Sequence, residues 1–148
     1  QFTKEEQREI VINAGLGLGE GIVSGLVNSD QITVAKDESV YTDNLRFRYI
    51  TADKKLMVNF DDDKGYGTKL TETLYHQRFR PALEYIEICE LVHTALNIES
   101  DYGYPVDIEF AMESARLWIL QVRPVATFFT AVQETIEKYP LNSFTEQL

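Results

Sequence analysis

The chain has 148 residues, 44% of them apolar and 26% charged, which suits one globular domain with room for a core and argues against wholesale disorder. Its 24 acidic and 14 basic residues give a net charge of −10, a poor match to nucleic acid or an anionic membrane as partner; a nucleotide, held by local donors and a metal, stays open. The polar start shows no secretory signal, no apolar run approaches the roughly 18–20 residues of a membrane span, and a single cysteine, Cys89, excludes an internal disulfide or a multi-cysteine zinc site. A reducing, cytoplasmic setting is expected.

In chain order, the β-branched run at residues 9–13 predicts a strand. It leads into alternating glycines, Gly15, Gly17, Gly19 and Gly21, where the backbone either turns sharply or approaches a ligand closely. A short helix over 21–26, a strand over 31–35 and a turn over 37–39 follow. Strands are expected at 45–50 and 56–60, joined by a hairpin loop with Lys54 and Lys55 at its exposed tip. The run Asp61-Asp62-Asp63 reads as a solvated turn, since Lys64 follows and no EF-hand spacing exists. Helical signals begin near Thr71. The main helix is expected over 81–98, with Pro81 in its first turn and Leu83, Ile86, Ile88, Leu91, Val92, Ala95 and Leu96 on a broad apolar face. After the stop at Tyr102-Gly103-Tyr104-Pro105 come strands over 106–111 and 117–122, linked by a loop over 112–116. A helix is expected over 126–139, then a frayed end. The fold class is α+β, an antiparallel sheet with packed helices.

The last hairpin carries the most chemistry. Strand residues alternate faces, so Asp107 and Glu109 share one face of the first strand, and Ile119, Gln121 and Arg123 share one face of the second. If Ala111 pairs with Leu117, Asp107 falls opposite Gln121 and Glu109 opposite Ile119. Carboxylates, an amide and a guanidinium then form one patch, suited to a metal and a phosphate. The plain alternative is a half-exposed hairpin with its polar side in water. Against it, Glu109 and Gln121 interrupt strongly apolar runs, where an unpartnered polar group is costly if buried.

Other motifs are weaker. The glycine segment lacks the Gly-Lys-Ser/Thr of a Walker loop, and G-x-G-x-x-G fails at Glu20 or Ile22. His76 and His93 have no carboxylate arrangement around them that makes a metal site. Cys89, between Ile88 and Glu90, reads as a small core residue rather than a nucleophile.

Three segments together resemble the phosphoenolpyruvate synthase and pyruvate phosphate dikinase family. They are Asn13-Ala14-Gly15-Leu16-Gly17-Leu18-Gly19-Glu20 with Val23-Ser24-Gly25, then Asp107-Ile108-Glu109-Phe110-Ala111, then Leu120-Gln121-Val122-Arg123-Pro124. The family patterns are N-A-x-x-G-L-G-E-x-x-V-S-G, D-I-E-(W/F)-(A/T) and L-Q-(S/T/A)-R-P, in that order. The resemblance covers about residues 9–125 and is to the later part of the N-terminal ATP-binding domain, an ATP-grasp fold. It implies a partial ATP-grasp domain over residues 1–125 and a C-terminal helix and tail over 126–148. It also implies ATP and Mg²⁺: Glu109 and Gln121 at the metal, Arg123 on a phosphate and stabilising charge during transfer, and Asp107 supporting the site. The glycine loop would have a structural or lid-closing role near the phosphates.

In the complete family the phosphate passes to a histidine on a separate swivelling domain, then to pyruvate or another acceptor. The early ATP-binding lobe, the phosphohistidine domain and the pyruvate-binding domain have no counterpart in these residues, and residues 61–80 match poorly. The chain is therefore expected to be part of a larger phosphotransferase and inactive alone, with those missing parts as its partners. Self-association through exposed apolar surface is a further expectation. The alternative is a non-catalytic binding or interaction module that keeps the ATP-grasp scaffold.

Overall fold

The computed structural model describes residues 9–126. The helix expected over 126–139 lies, beyond its first residue, outside them. The described elements are β1 (Glu9–Ala14), α1 (Glu20–Val23), β2 (Asp30–Ala35), a 3₁₀ turn (Glu38–Tyr41), β3 (Phe47–Ile50), β4 (Leu56–Phe60), β5 (Thr68–Glu72), α2 (Tyr75–Arg78), α3 (Tyr85–Tyr102), β6 (Val106–Glu113) and β7 (Arg116–Pro124).

The expected class holds, but the single sheet is three: β1-β2-β3, β4-β5 and β6-β7, each antiparallel. In the first sheet, alternation decides the faces. Ile12, Ala14, Ile32 and Val34 point inward and are buried, while Val11 between them is exposed. Against that face lies α3, through Ile88, Leu91 and Val92 at helical spacing. Leu83, Val40 and Leu45 close the core, and Phe110, Met112 and Leu117 of the β6–β7 hairpin pack on it. The hairpin is thus fixed by its inner side.

The helix starts later and ends later than its pattern suggests. Pro81 lies before it. Glu84 is the N-cap, and Glu84 and Glu87 form a reciprocal capping box, with the Glu84 N–H donating to the Glu87 carboxylate at 2.8 Å. Gly103, at φ 75°, terminates it by donating to the Glu99 carbonyl at 2.9 Å. Ile86 was expected on the apolar face, yet it is 73% exposed.

The expected hairpin between the third and fourth strands does not form. β3 pairs with β2, from Gln31–Ile50 to Val34–Phe47. β4 pairs instead with β5, a strand where helical signals were expected to begin. The residues between β3 and β4 are a crossing, and Lys54, expected at an exposed tip, is completely buried there. Its Nζ donates to Asp30 Oδ1 at 2.6 Å and to the Ala52 carbonyl at 3.1 Å.

Asp30, also completely buried, is the centre of this node. Its Oδ1 further accepts from the Ala52 N–H at 2.8 Å. Its Oδ2 accepts from the Tyr49 hydroxyl at 2.5 Å and the Ala82 N–H at 2.8 Å. Burial alone works to raise its pKa. The hydrogen bonds from Lys54, Tyr49, Ala52 and Ala82 outweigh that and hold it below the ordinary carboxylate value. Burial, and next the bond to Asp30, push the Tyr49 phenol well above its ordinary value. One carboxylate thus joins the start of β2, β3, the β3–β4 crossing and the approach to α3. Asp61 is likewise buried rather than fully solvated, while Asp62 and Asp63 are exposed.

Candidate functional site

The outer face of the β6–β7 hairpin holds the four residues singled out above. The turn is two residues, Ser114 and Ala115 at φ 52° and 61°, instead of five. Both sit in the left-handed region that two-residue hairpins need. From the turn, Glu113 pairs with Arg116, Met112 with Leu117, Ala111 with Trp118 and Phe110 with Ile119. A bulge then intervenes, and Glu109 pairs with Gln121, Ile108 with Val122, and Asp107 with Arg123.

The expected register is therefore corrected. Asp107 faces Arg123, not Gln121, and Glu109 faces Gln121, not Ile119. The extra residue, Leu120, has no partner in the ladder. Without it, Glu109 would oppose Leu120 and the amide would fall on the other face. The bulge brings Gln121 and Arg123 onto the face of Glu109 and Asp107, and moves Ile119 off it. It also adds Trp118, which strict alternation puts on the opposite side from Gln121.

On this face an Arg123 Nη2 lies 3.7 Å from an Asp107 Oδ2, with both side chains more than half exposed. A pair so open to water contributes little to stability and leaves the guanidinium available. Glu109 is half-buried, and Gln121 opposite it is exposed. Among the described residues no three His, Cys, Asp or Glu side chains are grouped as a metal cage. One carboxylate facing one amide oxygen fits a hard cation that takes one or two protein oxygens and completes its shell from phosphate and water. That is the donor chemistry of a magnesium–nucleotide complex.

The glycine loop sits against β4. Gly17 bridges to Val58 in parallel fashion, and the Leu18 N–H donates to the Val58 carbonyl at 2.8 Å. A Cβ on Gly17 would stand 2.4 Å from that carbonyl, and its φ is +76°; one on buried Gly21 would meet the Val58 side chain at 2.7 Å. Close backbone packing accounts for these two glycines. Gly19 has open space around its Cα, and the adjacent Glu20 carboxylate accepts from the Thr68 hydroxyl at 2.7 Å, tying α1 to β5.

The remaining expectations resolve simply. His93 is exposed and its Nε2 meets the Val40 carbonyl at 2.9 Å. His76 is exposed at the end of α2. Cys89 is a half-buried residue packed against the core. Sequence reasoning missed the Asp30–Lys54 node and Trp118. The first had no local signal, and the second needed the bulge.

Fold and site together define an α+β domain that presents an acid, an amide and a guanidinium on one hairpin face. The chain belongs to the family of the pyruvate phosphate dikinase AMP/ATP-binding domain, whose pattern matches residues 2–142. It is 38% identical over 123 residues to a probable phosphoenolpyruvate synthase of Methanocaldococcus jannaschii, covering 83% of this chain and 10% of that protein. It is 34% identical over 124 residues to a rifampicin phosphotransferase of Streptomyces, covering 84% of this chain and 13% of that protein. A phosphoenolpyruvate synthase of Pseudomonas aeruginosa is 32% identical over 144 residues, covering 94% and 18%. The chain thus spans under a fifth of the length of these relatives. No helix among the described residues is long and apolar enough to cross a membrane.

Proposed function

We propose that this chain is the later part of an ATP-grasp domain in a larger phosphoenolpyruvate synthase-like phosphotransferase, and that the outer face of β6–β7 receives the phosphates of ATP. The observation that carries this is the bulged register, which sets Glu109 opposite Gln121 and Asp107 opposite Arg123 on one exposed face. Glu109 and Gln121 hold Mg²⁺ with the nucleotide, and Mg²⁺ supplies charge neutralisation of the phosphates. Arg123 pairs with a phosphate oxygen and stabilises charge as the phosphoryl group leaves. Asp107 keeps Arg123 on this face. Phosphoryl transfer needs positioning and neutralisation more than covalent help from the protein, so this donor set suffices for the part assigned to the hairpin. The acceptor is a histidine on another domain of the whole protein, and the other nucleotide-binding lobe comes from outside these residues.

The test is ATP-dependent phosphorylation of the full-length protein that contains this chain. Glu109→Ala and Arg123→Ala should each lower it by about a hundredfold or more, while thermal unfolding stays near that of the parent because both side chains lie on the outer face. Unchanged phosphorylation in either variant would overturn the role given to that residue.

A further inference from the structure

The inner row of β6 is only partly used by the core. Phe110 and Met112 pack on the core, but Val106 and Ile108, on the same row, line an open groove. Ile10 of β1 and Ala95 and Leu96 of α3 form its other apolar walls, and its volume is about 450 Å³. All five side chains are half-buried. Of the charged residues along it, Lys36 and Glu99 are paired with each other at 2.5 Å, and Glu9 is exposed to solvent. The opening therefore asks for apolar contact rather than for a charge. Val125, the first residue past β7, lines the groove too, and its N–H donates to the Pro105 carbonyl at 3.1 Å. The chain thus leaves the hairpin at this apolar opening.

We propose that this groove is the docking site for the chain's own next segment, residues 126–139. The sequence beyond Val125 supplies the matching face. Taking Val125 as position i, Phe128, Phe129, Val132 and Ile136 stand at i+3, i+4, i+7 and i+11, one stripe of a helix. Thr130, Glu134, Glu137 and Lys138 fall on the opposite side, and Pro140 ends the pattern. Val125 is already seated, so a helix continuing from it turns Phe128 and Phe129 toward the same opening with no loop to close. The lengths agree. The α3 wall from Ala95 to Gly103 is about 12 Å long, and two turns of the segment, Val125 to Val132, span about 11 Å. Two phenylalanines bring the large apolar area that such an opening lacks. Residues 1–8, which precede the groove's Glu9, carry one apolar side chain, Phe2, and have no such stripe. Docked there, the segment covers the open end of the core and anchors β7 two residues beyond Arg123.

The test uses the full-length protein that contains this chain. The photo-reactive aromatic p-benzoylphenylalanine replaces Phe129, the protein is irradiated, and the joined peptides are mapped by mass spectrometry. The expected result is a cross-link within one molecule to a peptide carrying Ile10, Leu96 or Ile108. The same group in place of Glu134, on the opposite side of the stripe, should reach none of them. Hydrogen exchange gives a second reading. Ile108→Asp puts a charge in the groove and should speed amide exchange over residues 128–136 about tenfold or more, whereas Glu134→Lys should leave it unchanged. Cross-links from position 129 to another part of the protein, a product of doubled mass joining two copies, or no cross-link at all would each overturn the proposal. So would unchanged exchange in a folded Ile108→Asp protein. Should that variant fail to fold, the pair of cross-linking positions decides alone.

Discussion

Replacing Lys54 by Met tests the buried node directly. The substitution keeps the length of the stem and removes only the ammonium. Asp30 Oδ1 then loses the donor at 2.6 Å, and the Ala52 carbonyl loses the one at 3.1 Å. The carboxylate stays completely buried and charged, with Tyr49, Ala52 and Ala82 as its remaining donors. Removing one member of a buried ion pair costs about 3–5 kcal/mol at neutral pH, because the charge left behind has lost its counter-ion. With a urea dependence of about 2 kcal/mol per molar, the midpoint should fall by roughly 2 M. The pH dependence gives a second handle. Asp30 has a lowered pKa in the fold, so its contribution is present above its unfolded pKa of about 3.9 and is lost as pH falls through the folded value. In the variant a protonated Asp30 needs no counter-charge, whereas in the parent acid strands a buried Lys54. The gap between the two proteins should therefore narrow from pH 7 to pH 3. Urea unfolding followed by far-ultraviolet circular dichroism measures both. A loss under about 1 kcal/mol at pH 7, or a gap that stays constant with pH, would refute the view that this pair carries the crossing.

Two local substitutions follow. Gly17→Ala should destabilise by more than about 2 kcal/mol, since it adds left-handed strain to a 2.4 Å approach on the Val58 carbonyl, whereas Gly19→Ala, with nothing within 4 Å, should change the thermal midpoint little; equal effects would contradict the packing account of the loop. Ala115→Gly should stabilise by about 1 kcal/mol, because Ala115 is held at φ 61° in the two-residue turn, and a destabilised variant would show that the turn does not have this shape.

Much of the site was legible in the residues. Alternation around Glu109 and Asp107 correctly gave their shared face, and the L-Q-x-R-P run marked Gln121 and Arg123 as its partners. The register across the hairpin was not legible, because it depends on where the bulge and the turn fall. Pairing Ala111 with Leu117 or with Trp118 satisfies the same local pattern. The core then selects between them, since Phe110, Met112 and Leu117 must all reach it. The same holds for the strand partners of β3 and β4. Two short apolar runs separated by five residues look like a hairpin from sequence. Here the intervening Lys54 is drawn inward to Asp30, and the two runs go to different sheets.

By itself the sequence determined the elements whose patterns are local: the alternating first strands, the apolar stripe of α3, the glycine turn, and the acid and amide and guanidinium of the last hairpin as its candidate residues. Those patterns arise within a few residues of one another, from backbone sterics and side-chain period. Only the tertiary structure decided the register that gathers the four polar residues, the place of Trp118 beside them, and the burial of Lys54. Each of these depends on contacts between residues far apart in the chain. A carboxylate at position 30 and an ammonium at position 54 acquire their meaning only when the fold excludes water from both.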